Sequence, residues 1–192
     1  MSDEKSALRA DAKTRRKMAH EAHGATANTQ LRTHGLDFLT LPSRPVVSGF
    51  FAIGDEINPL PLLMSLHLRG VRLALPAMLG KGKPLLMRAW APGEPLATAT
   101  WGIQEPLGDS VVLEPDVVLV PLLAFDGQGY RLGYGGGFYD RTLAGLRAKK
   151  SIVAVGLAYD EQKVDAVPHE SYDERLDWVL TPSGPHKIPL TS

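Results

Sequence analysis

Arg131-Leu132-Gly133-Tyr134-Gly135-Gly136-Gly137-Phe138-Tyr139-Asp140 places four glycines within five positions. Glycine adds no side-chain burial and loses the most backbone freedom on ordering, so such a run serves a sharply bent backbone rather than a core. Upstream, Val117-Val118-Leu119-Val120 is a run of β-formers suited to a buried strand. Downstream, Tyr139, Leu143 and Leu146 recur at helical spacing, and Lys149 and Lys150 stand where cations suit a helix C-terminus. The glycines therefore fall between a strand and a helix N-terminus. Free N–H groups and the positive end of the helix dipole converge there, the geometry that binds phosphate. Arg131 and Asp140 bracket the loop with a guanidinium that pairs with phosphate and a carboxylate that suits magnesium.

Neither common phosphate loop fits. A P-loop requires Lys-Ser or Lys-Thr after its last glycine, and Phe138-Tyr139 follow Gly137 here. The dinucleotide fingerprint requires glycine at position 138, and Asp160 alone answers its distal acidic residue.

Outward from the loop, residues 3–23 are rich in alanine, lysine and arginine and predict a basic helix with a thin apolar stripe of Leu8, Ala12 and Met18. A second helix is predicted over residues 29–41, weakened by Gly35. Residues 46–52 are predicted to form the first strand. Asn58-Pro59 then supplies an N-cap and a proline at the first helical position. The helix that follows is expected to send Leu60, Leu63, Met64 and Leu68 to the core and to end at Gly70. Further strands are predicted over 71–75, stopped by Pro76, and over 85–91, 117–120, 152–157 and 178–181. Segment 92–115 reads as one long Pro/Gly-rich loop, and the tail from Pro182 as loose. Alternating short apolar strands and helices predict an α/β fold with a mostly parallel sheet. No repeat and no domain boundary is visible, so residues 1–192 read as one domain.

Composition narrows the function. The 21 basic residues balance 21 acidic ones, so no polyanion-binding face is implied and nucleic acid is not an expected partner. The absence of cysteine removes disulfides, thiolate zinc sites and a cysteine nucleophile. No apolar signal segment or membrane-length run is present, which predicts a soluble cytoplasmic protein without a membrane partner. His20-Glu21-Ala22-His23 spaces its histidines three apart instead of the four of a His-Glu-x-x-His zinc helix, and reads as a solvated helix face. No Gly-x-Ser-x-Gly segment and no Ser-His-Asp constellation are recognisable.

Arg131 to Asp140, with the lead-in Pro121-Leu122-Leu123-Ala124-Phe125-Asp126, resembles the signature of the 5-formyltetrahydrofolate cyclo-ligases, also called methenyltetrahydrofolate synthetases. The resemblance extends over almost the whole chain. Lys5-x-x-x-Arg9 is similar to the family's N-terminal basic motif, Asp55-Glu56-Ile57 to its acidic turn, and Trp101-Gly102-Ile103-Gln104-Glu105-Pro106 to its Trp-x-Ile-x-x-Pro segment. Gly156-Leu157-Ala158, Gln162, Pro168-His169-Glu170 and Asp173 follow in the order of its C-terminal third. The chain departs from some members in carrying Tyr134 and Gly136 where they carry arginine and lysine.

The resemblance implies a three-layer α/β fold like that of sugar-phosphate isomerases and CoA transferases. It implies an ATP-driven ring closure of 5-formyltetrahydrofolate, polyglutamylated or not, with Mg²⁺ as cofactor and no obligate protein partner. In that chemistry the formyl oxygen attacks the γ-phosphate, N10 attacks the activated carbon, and phosphate leaves in place of hydroxide. The same resemblance implies Arg131 and Tyr139 as catalytic residues. Lys5, Arg9 and the loop from Arg131 to Tyr139 would bind ATP, and Asp140 and Asp173 the metal. Phe51, Glu56, Trp101 and Phe138 would bind folate, with the Glu56 carboxylate accepting two adjacent N–H groups of the pterin. Plainer readings stand beside these: a solvated basic face for Lys5 and Arg9, a dipole-favoured acid for Asp140, turn acids for Glu56 and Asp173, and core packing for Phe51. An isomerase or transferase on the same fold, or a non-catalytic folate binder, would also fit the fold.

Overall fold

The apolar runs become the centre of a seven-stranded sheet in a computed structural model that describes residues 3–99 and 102–189. In chain order the elements are α1 (Asp3–His34), β1 (Val46–Ser48), α2 (Leu60–Leu68), β2 (Arg72–Met78), β3 (Leu85–Ala89), β4 (Leu96–Thr98) and β5 (Gln104–Pro106). There follow β6 (Val117–Pro121), β7 (Ala124–Phe125), β8 (Arg131–Leu132), α3 (Phe138–Arg147), β9 (Val153–Leu157), β10 (Trp178–Thr181) and β11 (Gly184–Lys187). The strand order is β11-β10-β9-β6-β1-β2-β3. The inner strands are parallel, and β3 and β11 close the two edges in antiparallel pairing.

Side-chain alternation along the strands separates two cores. Val47, Leu73, Leu119, Val155 and Leu180 pack with Ala27 and Leu31 of α1 and Leu62, Leu63 and Leu66 of α2. On the opposite face Val46, Ala74, Val118, Val120, Ala154 and Val179 pack with Leu143 and Leu146 of α3. The layers are therefore helix, sheet, helix, as expected. From β1 the sheet grows one way through β2 and β3, and from β6 the other way through β9 to β11. The switch in winding direction lies between β1 and β6, and open α/β sheets bind ligands beyond the strand ends at such a point.

Several local expectations are corrected. The two N-terminal helices are one, bent at His23 (φ −151°, ψ 20°), and it ends at His34, before Gly35 (φ 59°). Met18 is 64% exposed, whereas Ala12, Arg16, Ala19, Ala27 and Leu31 are buried. Alanine has little hydropathy but lets a helix approach its neighbour closely, so a search for large apolar residues misses this face. On α2, Met64 and Leu68 point to solvent while Leu62, Leu63 and Leu66 are buried. β2 runs through Pro76 because its pairing with β1 covers only Arg72, Leu73 and Ala74. Beyond that point β2 has an open edge, where a missing N–H is tolerated. The supposed loop 92–115 contains the β4–β5 hairpin, and the supposedly loose tail contains β11. At the end of β1, Gly49 faces α2: a Cβ there would lie 2.4 Å from a Leu63 methyl carbon, so only glycine permits this approach.

Candidate active site

The loop is delivered by a short hairpin, β7–β8, which the sequence reading missed. Asp126 organises it. Its buried carboxylate accepts the N–H groups of Gln128 and Tyr130 on Oδ1 and of Val167 on Oδ2. Three charge-assisted bonds fix the register that carries Arg131 into the glycine run. Gly137 then sits at the N-cap of α3 in left-handed geometry (φ 62°, ψ 17°), with no side chain capping the helix. A residue with a Cβ would be strained there, and an uncapped N-terminus leaves N–H groups available to an anion.

Around this loop opens a cleft of about 1050 Å³. That is at the upper end of the usual range for a small-molecule site, roughly 300–1,000 Å³. Phe50 and Phe51 beyond β1, Pro76 and Met78 at the end of β2, and Pro121 at the end of β6 line it, so it lies at the switch in winding. Gln104 and Glu105 of β5 form another wall, and Glu105 is held there by the Met78 N–H.

α1 crosses the mouth. Lys5 Nζ lies 2.7 Å from Asp173 Oδ2, and Arg9 Nε donates to the Gly133 carbonyl at 2.9 Å. Lys5 and Arg9 line the cleft and are not a solvated face. Arg131 donates to Asp140 Oδ1 (2.6 Å) and to the Glu174 carbonyl, tying the two ends of the loop together. Asp140 also accepts the Glu174 N–H on the same oxygen. Asp173 takes both of its recorded bonds, from Lys5 and the Glu170 N–H, on Oδ2.

Glu56 is only 5% exposed yet lines the cleft. Its Oε2 accepts the Ile53 N–H (2.8 Å) and its Oε1 accepts the Tyr134 hydroxyl (2.6 Å). Arg16 donates to the Tyr134 oxygen (2.6 Å) and to Asp55 (2.5 Å), with Glu56 Oε1 at 3.5 Å. Burial pushes the Glu56 carboxyl above its ordinary value, against the lowering effects of the Tyr134 and Ile53 hydrogen bonds and the Arg16 charge. For Arg16 burial works to lower the pKa, but its bonds to Tyr134 and Asp55 and the Glu56 charge win, and it is raised. The phenols of Tyr134 and Tyr139 are both pushed up, first by burial and then by the negative charge of Glu56. Both phenols are therefore protonated at neutral pH, and Tyr134 donates its proton to Glu56.

Phe51 and Phe138 line the cleft as apolar walls, Phe51 packed edge-on against Trp90. Leu132 is buried behind the loop. Trp101 lies outside the described residues. The segment His20 to His23 lies on an exposed part of α1, as expected, and both histidine rings also touch Tyr159, with His20 Nδ1 3.0 Å from its hydroxyl. Arg16 was missed in the sequence, although Lys5, Arg9, Ala12, Arg16 and Ala19 continue one helical face at steps of three and four.

The chain resembles known proteins in both sequence and fold. A model of the 5-formyltetrahydrofolate cyclo-ligase family matches residues 1–182. The 5-formyltetrahydrofolate cyclo-ligase of Haemophilus influenzae is 32% identical over 159 residues, covering 80% of this chain and 84% of its own. The enzyme of that name from Mycolicibacterium smegmatis is 36% identical over 143 residues, covering 71% and 73%. The solved 5,10-methenyltetrahydrofolate synthetase of Aquifex aeolicus superposes with a TM-score of 0.75 at 26% identity, covering 98% of this chain and 94% of its own. Extent, identity and fold agree: this chain belongs to the 5-formyltetrahydrofolate cyclo-ligase family.

Proposed function

We propose that this cleft carries out the ATP-dependent cyclisation of 5-formyltetrahydrofolate to 5,10-methenyltetrahydrofolate, releasing ADP and phosphate. The observation that carries the reading is the meeting, in one cleft, of an uncapped glycine-rich helix N-terminus and the buried Glu56 carboxylate, joined by the Tyr134 hydroxyl. The loop 133–137 receives the phosphate chain of ATP, and Lys5 and Arg9 close over it from α1. Glu56 anchors the pterin: each of its oxygens holds one protein donor, and a carboxylate offers about four acceptor sites in all. Phe51 and Phe138 exclude water beside it. The formyl oxygen then attacks the γ-phosphate and ADP leaves. N10 attacks the activated carbon and loses its proton, and phosphate departs with the former formyl oxygen. Positioning and charge stabilisation, supplied here by Arg131, Lys5 and Arg9, dominate such transfers.

Asp140 and Asp173 suit a magnesium ion. Both line the cleft, and each spends one oxygen on protein donors, leaving a hard donor atom for an ion that otherwise keeps waters and phosphate oxygens. Bound there, Mg²⁺ would neutralise charge on the phosphate chain.

The test is near-UV absorbance of the methenyl product with ATP, Mg²⁺ and 5-formyltetrahydrofolate, omitting each in turn. Product requiring all three is expected. Turnover without ATP would favour an isomerase or transferase, and tight folate binding without product a storage role.

A further inference from the structure

Four cations line the cleft: Lys5, Arg9, Arg131 and Arg141. Lys5 is paired with Asp173 and Arg131 with Asp140. Arg9 and Arg141 have no carboxylate within salt-bridge distance among the described residues. Each instead holds a loop carbonyl, Arg9 that of Gly133 at 2.9 Å and Arg141 that of Gly136 at 2.6 Å. Each also has a further guanidinium nitrogen, Nη1 of Arg9 and Nε of Arg141, buried without a hydrogen-bond partner. The two arginines thus flank the glycine run, one from α1 and one from α3.

The placement of Arg141 runs against helix electrostatics. It is the fourth residue of α3, and its side chain folds back over the helix start. Its guanidinium lies 5.4 Å above the Phe138 ring and so close to Gly137 that a Cβ there would sit 2.8 Å from Nη1. A cation at the positive end of a helix is unfavourable, and the nearest first-turn acid, Asp140, is already engaged by Arg131. The site therefore carries uncompensated positive charge from the dipole and the guanidinium together. An anion bound on the loop supplies the missing partner.

We infer that Arg141 contacts the phosphate chain of ATP from the side of the loop opposite Arg9 and stabilises the charge of the transferring phosphoryl group. This rests on the proposed function, in which the loop holds ATP. The cation–π contact with Phe138 keeps the planar guanidinium in place before the nucleotide arrives.

The experiment compares wild type with Arg141→Ala and Arg141→Gln, the latter keeping a donor for the Gly136 carbonyl without the charge. Calorimetric titration with ATP and Mg²⁺, no folate present, should show binding at least roughly tenfold weaker in both variants. Turnover should fall at least about a hundredfold, with the KM for formylfolate little changed. Millimolar guanidinium should restore part of the activity of Arg141→Ala and none in wild type. Arg141→Gln with the ATP affinity and turnover of wild type would show that the residue only braces the loop, and would overturn the inference. If wild type makes no methenyl product, the functional reading fails instead. The ATP titrations still decide the role of Arg141, since equal affinities in wild type and Arg141→Gln would refute it.

Discussion

Glu56 shows how much chemistry hangs on one buried carboxylate. Its partners come from three separate segments: the Ile53 N–H in its own turn and the Tyr134 hydroxyl in the glycine loop donate to it, and the Arg16 charge in α1 lies 3.5 Å away. Glu56→Gln keeps the shape and an acceptor for Tyr134 but gives up a charge-assisted pair with the pterin, worth about 1.5–3 kcal/mol. The KM for formylfolate should rise roughly tenfold or more while that for ATP moves little. Steady-state titration of each substrate at saturating partner measures this, and equal shifts in both would remove Glu56 from the folate site. Part of this residue's setting was legible in the chain, since Asp55-Glu56 stands out as an acidic turn after the first strand. That Tyr134 spans from the phosphate loop to Glu56 was not. The contact joins residues 78 apart, and a tyrosine among glycines reads only as part of the loop.

At the scale of elements, α1 is the part with least intrinsic reason to lie where it does. Its buried face is mostly alanine, with one large apolar anchor in Leu31, and its docking is completed by Lys5–Asp173, Arg9–Gly133 and the Arg16 cluster. Changing Lys5 and Arg9 to alanine together should weaken ATP binding at least tenfold, because two phosphate cations and the tether to Asp173 are lost together. Folate affinity should stay within a few-fold of wild type, because Arg16 and Glu56 remain. Calorimetry with each ligand separates the two effects; unchanged ATP affinity in the double variant would show that these residues only tether α1 to the loop. Elements built on large side chains, such as β6 and the core of α3, were legible at nearly full extent. Those stabilised by small residues or distant partners were not: α1 divided wrongly at its bend, β11 passed for a loose tail, and β7–β8 is too short to show a period.

Across the whole molecule, the seven-stranded sheet is a platform whose switch in winding gathers residues from every third of the chain into one cleft. Burying Glu56 there has a cost to the fold. Its pKa is raised in the folded state, so between the ordinary glutamate value and the raised one the native protein binds more protons than the unfolded chain, and stability falls as pH increases through that window. Glu56→Gln abolishes this titration, and Asp55 and Tyr134 remain for Arg16. Its stability relative to wild type should therefore grow as pH rises from about 4 and level off above the window. Urea midpoints taken across pH 4 to 7 measure it, and a pH-independent difference would refute the assignment. The same gathering has a consequence during synthesis. Lys5 meets Asp173 across 168 residues of sequence. At roughly 5–20 residues per second, α1 waits on the order of ten to thirty seconds on the ribosome before the carboxylate that docks its end has been made. Until then the mouth of the cleft lacks the pair that ties the start of α1 to the far end of the chain.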